Sequence, residues 1–545
     1  MEPRPYHPSP EEDRASVTTT VWRPLRGQTF RDLLIADIFS DIGTFMQSVG
    51  AAWLMISLQA GPMYVALTQT ASALPFFLFA LPAGALGDIC DRRKLILFAE
   101  IWMAFVAVAL AALVITGFIS PWLLLALTFA LSAGDAFETP TWRAVLPELV
   151  AKEDLEAASA LNGIEFNLAR AVGPGLAGVL IAAFGVGTAF VVNAASFIGV
   201  IFVIARWRRP HRKRTAPAER VVGATMAALR YVRYSTGVRA LIIRAGAVTL
   251  FASALLALLP TVAHNVSKSP IGFGLLLGFF GAGAVLGAFV LQPARSRWST
   301  ETVASAGVAI LGVATIAVGI FHNLPVLSVV MLVGGGAWII FISLITALVQ
   351  KLAPDWVRAR VLAVFMLVFQ GGMAAGSAVW GALGQHTSVQ TALMWAGLGT
   401  VATTGLGLLC RLPDTTVDVT PWNHWRMPVI ADDLDLGLES GPVLVTIEYL
   451  VDRDHASDFL KAMQHNRQIR RRDGASRWGI YRDTEHPDLY LETFIVTSWA
   501  EHMRQHERFT RADHALEEKI SSYTLKEPKV RHLIYATIKP SKSTE

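Results

Sequence analysis

Charged residues are scarce in this sequence of 545 residues, where Asp, Glu, Lys and Arg together make up 16%. Soluble domains carry roughly 25%, so the shortage excludes a disordered chain and argues against an ordinary cytosolic enzyme. Cysteine is scarcer still: Cys90 and Cys410 are the two in the chain, and two cysteines make no disulfide framework. Hydrophobic residues reach 53%. The composition indicates a membrane protein with room for about a dozen spans of ~20 residues and a soluble part.

Several functional signatures are missing as well. The sequence contains no nucleotide-binding fingerprint, no phosphate-binding loop and no nucleophile motif, the patterns that mark ATP-driven pumps and the common enzyme classes. We therefore expect no catalytic residues, no cofactor and no metal. Residues 1–31 are polar and rich in proline, without the apolar core of a secretory signal, so we expect them to remain as an N-terminal tail.

Charge is distributed unevenly along the chain. Up to Arg411 there are 29 Lys and Arg against 20 Asp and Glu, a net +9, and the remainder has 18 against 22, a net −4. The acidic remainder is typical of a separate soluble domain. The predicted organisation is a cytoplasmic tail (1–31), a six-helix bundle (32–205), a basic cytoplasmic loop (206–238), a second six-helix bundle (239–411), a linker (412–442) and a soluble α+β domain (443–540).

Apolar runs long enough to cross a membrane recur along the first 411 residues. We place spans at about 33–57, 63–87, 95–117, 122–142, 161–184, 187–205, 240–263, 272–292, 302–321, 325–348, 360–384 and 390–410. The loops on one side of this plan contain a single basic residue, Lys268, whereas the other side contains the basic runs at 92–94 and 206–239. Because basic residues stay on the cytoplasmic side, we expect a multi-pass protein of the cell membrane with both termini cytoplasmic. The basic loop is suited to anionic lipid, so we expect no nucleic-acid partner.

The two apolar halves repeat each other at a fixed offset. Residues 203 apart occupy equivalent places in the two halves, namely Gly173 and Gly376, Gly178 and Gly381, Gly84 and Gly287, and Leu149 and Leu352. Six spans in each half give a parallel repeat, whose halves can rock about a site near the midplane. The repeat therefore predicts the architecture of a transporter.

A motif follows the second span at residues 84–94, which read GALGDICDRRK. Gly84 permits close helix approach, Asp88 offers a carboxylate to a helix end, and Arg92 and Arg93 suit anionic headgroups. The motif resembles the signature between spans two and three of the major facilitator superfamily, with Asp91 where that pattern has its second glycine. A plain positive-inside loop is the alternative.

The fifth span contains ARAVGPGLAG at residues 169–178. Pro174 bends a helix, while Gly173 and Gly178 allow close packing. This segment resembles the Gly-Pro motif of drug/proton antiporters in the same superfamily, with Ala169 and Ala177 in place of glycines. A packing motif without a coupling role is the alternative.

Short segments narrow the resemblance to one branch. These are DIGTFMQ at 41–47, ALP at 73–75, LPAG at 81–84, LPELV at 146–150 and ALNG at 160–163. They resemble the bacterial exporters related to enterobactin exporters, over residues 30–410. The resemblance implies the major facilitator fold, twelve transmembrane helices in two bundles, and efflux of a siderophore-like or drug-like molecule.

Ionisable residues inside the spans are costly and often functional. From helix rise, Asp41 lies about 12 Å deep, Asp135 about 10 Å and Arg170 about 13 Å, and we expect Asp37 at the membrane interface. Asp135 and Glu138 share a helix face, and Glu165 lies nearer the cytoplasm. We expect these residues to line a substrate and proton pathway in which Asp41 or Asp135 exchanges a proton. A static charge network that holds the first bundle together is the alternative.

The acidic remainder alternates between predicted strands and helices. Strands are expected at 443–450, 475–482, 489–496 and 530–538, and helices at 455–472 and 499–523. The order βαββαβ implies a ferredoxin-like α+β domain. Residues 492–502 resemble the dimeric domains of the antibiotic-biosynthesis monooxygenase group, which implies self-association. His502 and His506 share a helix face and His514 follows; we favour a solvated histidine-rich face over a metal site.

The sequence thus predicts a secondary transporter, an antiporter that exports a small molecule by alternating access. Import is an alternative, because the motifs do not encode the direction of transport. The alternative from another class is a membrane-anchored sensor or enzyme, in which the C-terminal domain binds or converts a small molecule and the spans do little.

Overall fold

The computed structural model describes residues 22–207, 221–412, 418–422, 430, 437 and 439–536, with the backbone alone at 81, 84, 85, 87–89, 221, 222 and 224. The chain divides into two compact units. One lies within Met1–Thr215, Arg244–Leu344 and Met366–Leu409, and the other within Ala216–Ile243, Ile345–Phe365 and Cys410–Glu545. Most of the predicted N-terminal tail, of the basic loop and of the linker lies outside the described residues.

Six long helices form the first half. They are α1 (Gln28–Ser57), α2 (Pro62–Ile89), α3 (Arg92–Ile115), α4 (Pro121–Leu149), α5 (Leu155–Phe184) and α6 (Gly187–Arg206). Proline occupies the first turn of α2 and α4, where its missing N–H costs nothing. Ser120 caps α4 by accepting from the Leu123 amide. Helix α1 packs against α5 and α6, α2 against α4, and α3 against α4 and α6.

The second half begins after an amphipathic helix, α7 (Val221–Tyr234). Its helices are α8 (Thr236–Ser267), α9 (Pro270–Arg297), α10 (Thr300–Ile320), α11 (Leu324–Leu352), α12 (Asp355–His386), α13 (Val389–Ala402) and the short continuation α14 (Leu406–Leu409). Ser269, Ser299 and Ser388 cap α9, α10 and α13 with their side chains. Helix α9 packs against α5 of the first half, so the two halves meet within one unit.

Ten segments among the described residues are long and apolar enough to cross a membrane. They comprise α2, α3, α5, α6, α8 to α12 and the segment Val389–Leu409. Helices α1 and α4 have comparable lengths of 30 and 29 residues but are not among the ten. These two helices carry Asp37 and Asp41, and Asp135 and Glu138, whose polarity lowers the mean hydropathy. The structure thus supports ten of the expected spans by composition.

The internal repeat is visible in the helix starts, although its offset is not constant. Helices α1 to α3 begin at 28, 62 and 92, and α8 to α10 begin at 236, 270 and 300, an offset of 208. Helices α4 and α11 begin at 121 and 324, an offset of 203. Leu149 and Leu352 both end their helices, as the repeat predicts. The pairing of Gly84 with Gly287 was wrong, because it applies the later offset to helices that are 208 apart.

Residues 443–534, which we call the soluble part after the prediction made for this segment, form a four-stranded antiparallel sheet with helices. Its elements are β1 (Val443–Leu450), α15 (Ala456–Arg472), β2 (Arg477–Arg482), β3 (Leu489–Val496), α16 (Trp499–Arg508), α17 (Arg511–Ser521) and β4 (Lys529–Ile534). The strand order is β2-β3-β1-β4. In β1, alternate residues are buried, as expected of a strand with one face on a core. That core includes Val445, Phe459, Phe494 and Trp499.

The element order of the soluble part was predicted correctly, with one exception. The expected helix 499–523 is two helices, because Thr510 begins a new one: its hydroxyl accepts from the Asp513 amide, and the Asp513 carboxylate accepts from the Thr510 amide. This capping box satisfies amides at the start of α17. The predicted strands at 475–482 and 530–538 are shorter, at 477–482 and 529–534.

Candidate functional site

Six acidic side chains from four helices of the first half interact with one another. They are Asp37 and Asp41 on α1, Glu100 on α3, Asp135 and Glu138 on α4, and Glu165 on α5. Glu100 is 2% exposed and Glu165 7%. The convergence follows from helix packing, since α1 packs on α5 and α3 packs on α4. We call these six residues the acidic cluster.

Two pairs within the acidic cluster are joined carboxyl to carboxyl. The Asp41 carboxyl interacts with that of Glu165, and the Glu100 carboxyl interacts with that of Glu138. An ionised carboxylate only accepts, whereas a protonated carboxyl can also donate. A proton on either member of a pair therefore lets that carboxyl donate to its neighbour.

A single guanidinium approaches the cluster. Among the described residues that interact with these six carboxyls, Arg170 on α5 is the cation, and Asp41 is its partner. The Arg170 guanidinium also lies 4.8 Å from the ring centre of Phe166 and 6.0 Å from that of Phe45, at the distances of cation–π contacts. The cluster therefore combines negative charge with an aromatic-lined cation.

Asp135 and Glu138 do share one helix face with a hydroxyl donor beside them. The Thr139 hydroxyl donates to Asp135 Oδ1 at 2.8 Å. The structure brings together all five residues expected in a pathway, namely Asp41, Asp135, Glu138, Glu165 and Arg170. Their role in substrate or proton movement stays a prediction.

Sequence reasoning missed one member of the cluster and did not foresee the neighbours of another. Glu100 escaped notice, although a lone carboxyl inside the apolar run 95–117 is the signal that would have found it. Asp37 interacts with Glu138, Asp41 and Glu165, and its expected position at the membrane interface stays a prediction. Depth alone could not place Asp37, because helix rise says nothing about which neighbour a side chain faces.

Buried charge in the second half is organised differently. Arg244 on α8 is 2% exposed, and its Nη1 donates to both oxygens of Glu301 on α10 at 2.8 and 2.7 Å. The Ser305 hydroxyl donates to Glu301 Oε1 at 2.9 Å. Glu301, which the sequence placed at a loop edge, is thus the partner of a buried arginine.

The loop motif after α2 is described in part. Gly84 and Asp88 lie outside the residues whose side chains the structure describes. Arg92 Nη1 donates to the Ala144 carbonyl at 2.9 Å and to Glu148 Oε1 at 2.8 Å on α4, and Arg93 donates to the Ile204 and Ala205 carbonyls at the end of α6. These arginines thus bind helix ends rather than projecting freely.

Asp91, which stands where the major facilitator pattern has its second glycine, caps the helix that follows it. Its carboxylate accepts from the Arg93 and Lys94 amides and caps α3. A carboxylate at a helix N-terminus satisfies free amides and the helix dipole.

The Gly-Pro motif lies at two helix crossings. A Cβ on Gly173 would lie 2.7 Å from Phe45 Cβ on α1, and one on Gly178 would lie 2.9 Å from the Pro270 carbonyl oxygen on α9. The second-half equivalents repeat this arrangement: Gly376 meets Leu250 on α8, and Gly381 meets Ala66 on α2. Small residues let these helices approach closely, and Pro174 lies inside α5 between the two glycines.

The soluble part contains a buried carboxylate with a full set of donors. Glu492 on β3 is 0% exposed and accepts from the Tyr449 hydroxyl at 2.9 Å, the Trp478 indole at 2.8 Å and Arg470 Nε at 3.3 Å. Burial, reinforced by the Glu492 charge, raises the pKa of Tyr449, so its hydroxyl remains a donor. This network orders the core of the sheet.

Three histidines of the soluble part converge. His502 and His506 lie one turn apart on α16 and their Nε2 atoms are 3.2 Å apart; His532 on β4 joins them, with all three ligand nitrogens within 4.8 Å. His502 is 3% exposed, so the expected solvated histidine face was wrong for this residue. His514, the third histidine expected there, instead stacks on Trp422.

The protonation of these imidazoles follows from their surroundings. Burial and the neighbouring His506 and His532 lower the pKa of His502 to about 3, and burial lowers the pKa of His506 to about 4 and that of His532 below its ordinary value. All three rings are therefore neutral at pH 7.

Two similar sets of long apolar helices are typical of a multi-pass membrane transporter of the major facilitator superfamily. A family model described as "Transmembrane secretion effector" matches residues 19–540. The chain belongs to this family, and the match includes the soluble part.

Relatives are about a quarter identical to the chain over the regions that align with it. The enterobactin exporter EntS of Citrobacter koseri is 27% identical over 397 residues, which are 70% of this chain and 91% of the exporter. The multidrug efflux pump Tap of Mycolicibacterium fortuitum is 24% identical over 61% of this chain and 83% of the pump. The chain matches the staphyloferrin A transporter of Staphylococcus aureus at 25% identity over 26% of its own length and 36% of that protein.

Solved structures with the same fold are also transporters. The nucleoside transporter NupG aligns with a TM-score of 0.57 at 13% identity, over 70% of this chain and 98% of that one. A bacterial homologue of the lysosomal transporter Spinster, inward-facing and unoccupied, aligns with a TM-score of 0.55 at 15% identity, over 71% and 95%. The family and the relatives are transporters rather than enzymes, so the sensor or enzyme alternative is not favoured.

Proposed function

We propose that the chain exports a siderophore-like or drug-like small molecule in exchange for protons, by alternating access. The acidic cluster carries this proposal. Six carboxyl groups with one guanidinium hold a surplus of negative charge that protons must neutralise when water is excluded. A conformational change that admits water to one side can release those protons. The relatives named as an enterobactin exporter and a multidrug efflux pump support the substrate class and the outward direction.

We also propose that α1 and α4 span the membrane, which gives twelve spans. Helix α1 begins 208 residues before α8, and α4 begins 203 residues before α11. Both counterparts are apolar enough to cross a membrane. Asp37, Asp41, Asp135 and Glu138 of these two helices belong to the acidic cluster, where they interact with other helices of the first half. An even number of spans and the basic residues on one side support two cytoplasmic termini.

The soluble part is proposed to be a ferredoxin-like accessory module that associates with a second copy. Its element order βαββαβ, with α16 and α17 in place of one helix, and its antiparallel strand order β2-β3-β1-β4 support this fold. Within its unit, Arg230 of α7 donates to Glu501 Oε1 at 2.7 Å. Arg508 donates to the same oxygen at 2.8 Å. The module is thus ion-paired to the helix that precedes the second half.

Transport in vesicles tests the exchange. Everted membrane vesicles that contain the full chain are given ethidium or enterobactin as probes, with and without an inward-acidic proton gradient. We expect accumulation that depends on the gradient and stops on adding a protonophore. Asp41→Asn and Asp135→Asn should abolish gradient-driven accumulation, while Asp32→Asn, an exposed carboxyl on the same helix as Asp41, should not.

Two outcomes would contradict the proposal separately. Full gradient-driven accumulation in both Asp41→Asn and Asp135→Asn would show that the cluster is a static network. If the wild-type chain accumulates neither probe, these two substrates are excluded. Proton coupling is then measured separately, as proton uptake in the absence of substrate.

A further inference from the structure

We propose that His502, His506 and His532 form a binding site for a divalent first-row transition metal, with Zn²⁺ as the expected occupant. The site lies in the soluble part, on α16 and β4, and is independent of the proposed transport function.

The spacing of the nitrogens fits a metal. Tetrahedral Zn²⁺ with Zn–N bonds of 2.0–2.1 Å places its ligand nitrogens about 3.3 Å apart. The Nε2 atoms of His502 and His506 are 3.2 Å apart, which is already one edge of such a tetrahedron. All three nitrogens lie within 4.8 Å of one another, so the third needs to move by at most about 1.5 Å.

The orientation of His502 is fixed by a second contact. Its Nδ1 lies 3.3 Å from Gln505 Oε1, which assigns the Nδ1 proton as donated to that oxygen. Nε2 then carries the lone pair and points at His506. Metal-binding histidines characteristically donate their other nitrogen to an oxygen acceptor in this way. A metal ion requires a lone pair on the Nε2 atom of both His502 and His506. Without a metal, one of these two Nε2 atoms must carry a proton in order to hydrogen-bond the other.

The three imidazole rings are held by two separate elements, the helix α16 and the strand β4. Positions 502 and 506 are one helical turn apart and face the same side of α16. Position 532 is opposite Val445 in the β1–β4 pairing, and the His532 ring lies 4.7 Å from the His502 ring. Ligands held by a helix and a strand are less free to relax apart than ligands on one loop.

The charges around the site permit a cation. Arg470 faces the histidines, but its guanidinium donates to the buried Glu492. Asp473 also lines the neighbouring cavity and is paired with Arg472 at 2.8 Å. The nearest charges thus largely cancel, so the site is not closed to a cation by a neighbouring positive charge.

A small cavity beside the rings leaves room for a fourth ligand. It has a volume of about 30 Å³ and is lined by His502, His506 and His532 together with apolar residues such as Phe494 and Val530. A water molecule occupies roughly 10–15 Å³ on this measure, so one or two waters fit. Three histidines and a water are a regular Zn²⁺ coordination set.

Metal binding to the full chain tests the site directly. The protein is purified in detergent with a tag that contains no histidine, treated with a chelator, and titrated with Zn²⁺ against a competing dye; bound metal is counted by mass spectrometry. We expect one Zn²⁺ per chain with a raised thermal midpoint. Co²⁺ in its place should give the visible absorption of a tetrahedral site.

Variants separate this site from other binding on the chain. His502→Gln, His506→Gln and His532→Gln should each weaken Zn²⁺ binding by about tenfold or more, and Gln505→Leu by a smaller factor. The matched control is His465→Gln on α15, whose side chain is exposed; it should bind as the wild type does.

Three results would overturn the proposal: no stoichiometric Zn²⁺ on the wild type, unchanged affinity in His532→Gln, or equal weakening in His465→Gln. Because His502 is buried, its variant alone could lose metal by unfolding. His506 and His532 are half-buried, so their variants, checked for unchanged circular dichroism and metal-free thermal midpoint, decide the outcome.

Discussion

The two halves of the transporter treat buried charge in opposite ways. In the second half, Arg244 is paired with Glu301, and Ser305 donates to the same carboxylate. In the first half, six carboxyls lie close together, and Arg170 interacts with one of them, Asp41. Helices that begin at equivalent points of the repeat thus enclose a balanced pair in one case and an excess of acid in the other.

The difference separates a structural charge from an exchangeable one. A balanced buried pair has no reason to gain or lose a proton, since each partner stabilises the ionised form of the other. A crowd of carboxyls with too few cations must hold protons, because like charges at short range in a dry site repel strongly. The asymmetry between the halves supports the proposal that the first half is the one that exchanges protons.

The largest expected effect comes from breaking the balanced pair. Arg244→Leu leaves Glu301 without its cation and should destabilise the protein by about 3–5 kcal/mol. The thermal midpoint in detergent measures this loss. The double variant Arg244→Leu with Glu301→Leu should recover most of it, and Asp355→Asn, which removes an exposed carboxylate of the same half, should change little. A single Arg244→Leu variant as stable as the wild type would show that the pair is not structural.

A smaller effect is expected at the equivalent glycines. Gly376→Ala places a Cβ against the Leu250 backbone carbonyl and should cost about 1–3 kcal/mol. Gly173→Ala places a Cβ 2.7 Å from Phe45 Cβ and should cost less, because this approach is less close than the one at Gly376. Thermal midpoints compare the two. Gly175→Ala on α5, with nothing within 4 Å of its Cβ, serves as the control; a loss there equal to Gly376→Ala would contradict a packing cause.

The clustered histidines of the soluble part are bases rather than acids, so crowding favours loss of protons instead of their uptake. The pKa values of His502 and His506 in the folded chain, about 3 and about 4, lie below the ordinary value, so the unfolded chain binds more protons. The stability of the metal-free soluble part is therefore full above about pH 6.5 and falls as the pH drops toward 4. Circular dichroism of its unfolding at pH 7 and pH 5 measures the fall.

Replacing His506 should reduce this acid sensitivity. His506→Gln removes one depressed group and one neighbour of His502, so the difference between the two pH values should shrink. His486→Gln, an exposed histidine, should leave the difference unchanged. An equal response in both variants would attribute the acid sensitivity to other groups.

The smallest effect is expected where the first half loses one acid of its surplus. In Glu100→Gln the amide can donate to Glu138 in place of the shared proton, so stability should change by less than about 1 kcal/mol. Thermal midpoints test this beside Arg244→Leu. A loss as large as that of Arg244→Leu would mean that Glu100 is an ionised structural partner, and the contrast between the halves would fail.

Much of the fold could be predicted from sequence because its signals are local. Apolar runs of about 20 residues indicated the spans, and alternating residues such as those of 443–450 indicated strands. The errors have local physical causes: the capping box at Thr510 divides a helix, and the changing repeat offset put Gly84 and Gly287 out of register. The two helices that are least apolar, α1 and α4, are the ones that carry the acidic cluster.

The site was less predictable because it depends on which helix faces meet. Depth along a span placed Asp41, Asp135 and Arg170 at similar levels, and the structure brings them together. Depth could not show that Asp37 interacts with Glu138 and Glu165. Glu100 joins the cluster because α3 packs against α4, and no spacing in the sequence indicates its contact with Glu138.

The sequence by itself determined the composition of spans, the internal repeat and the order of elements in the soluble part, since these depend on residues close together in the chain. Only the tertiary structure decided which polar groups meet. Arg244 is paired with Glu301, which lies 57 residues later in the chain. His532 on β4 lies beside His502 on α16, and no spacing in the sequence indicates that contact. Side chains distant in sequence approach one another only after helices and strands have packed, and the charge balance of each site is fixed at that step.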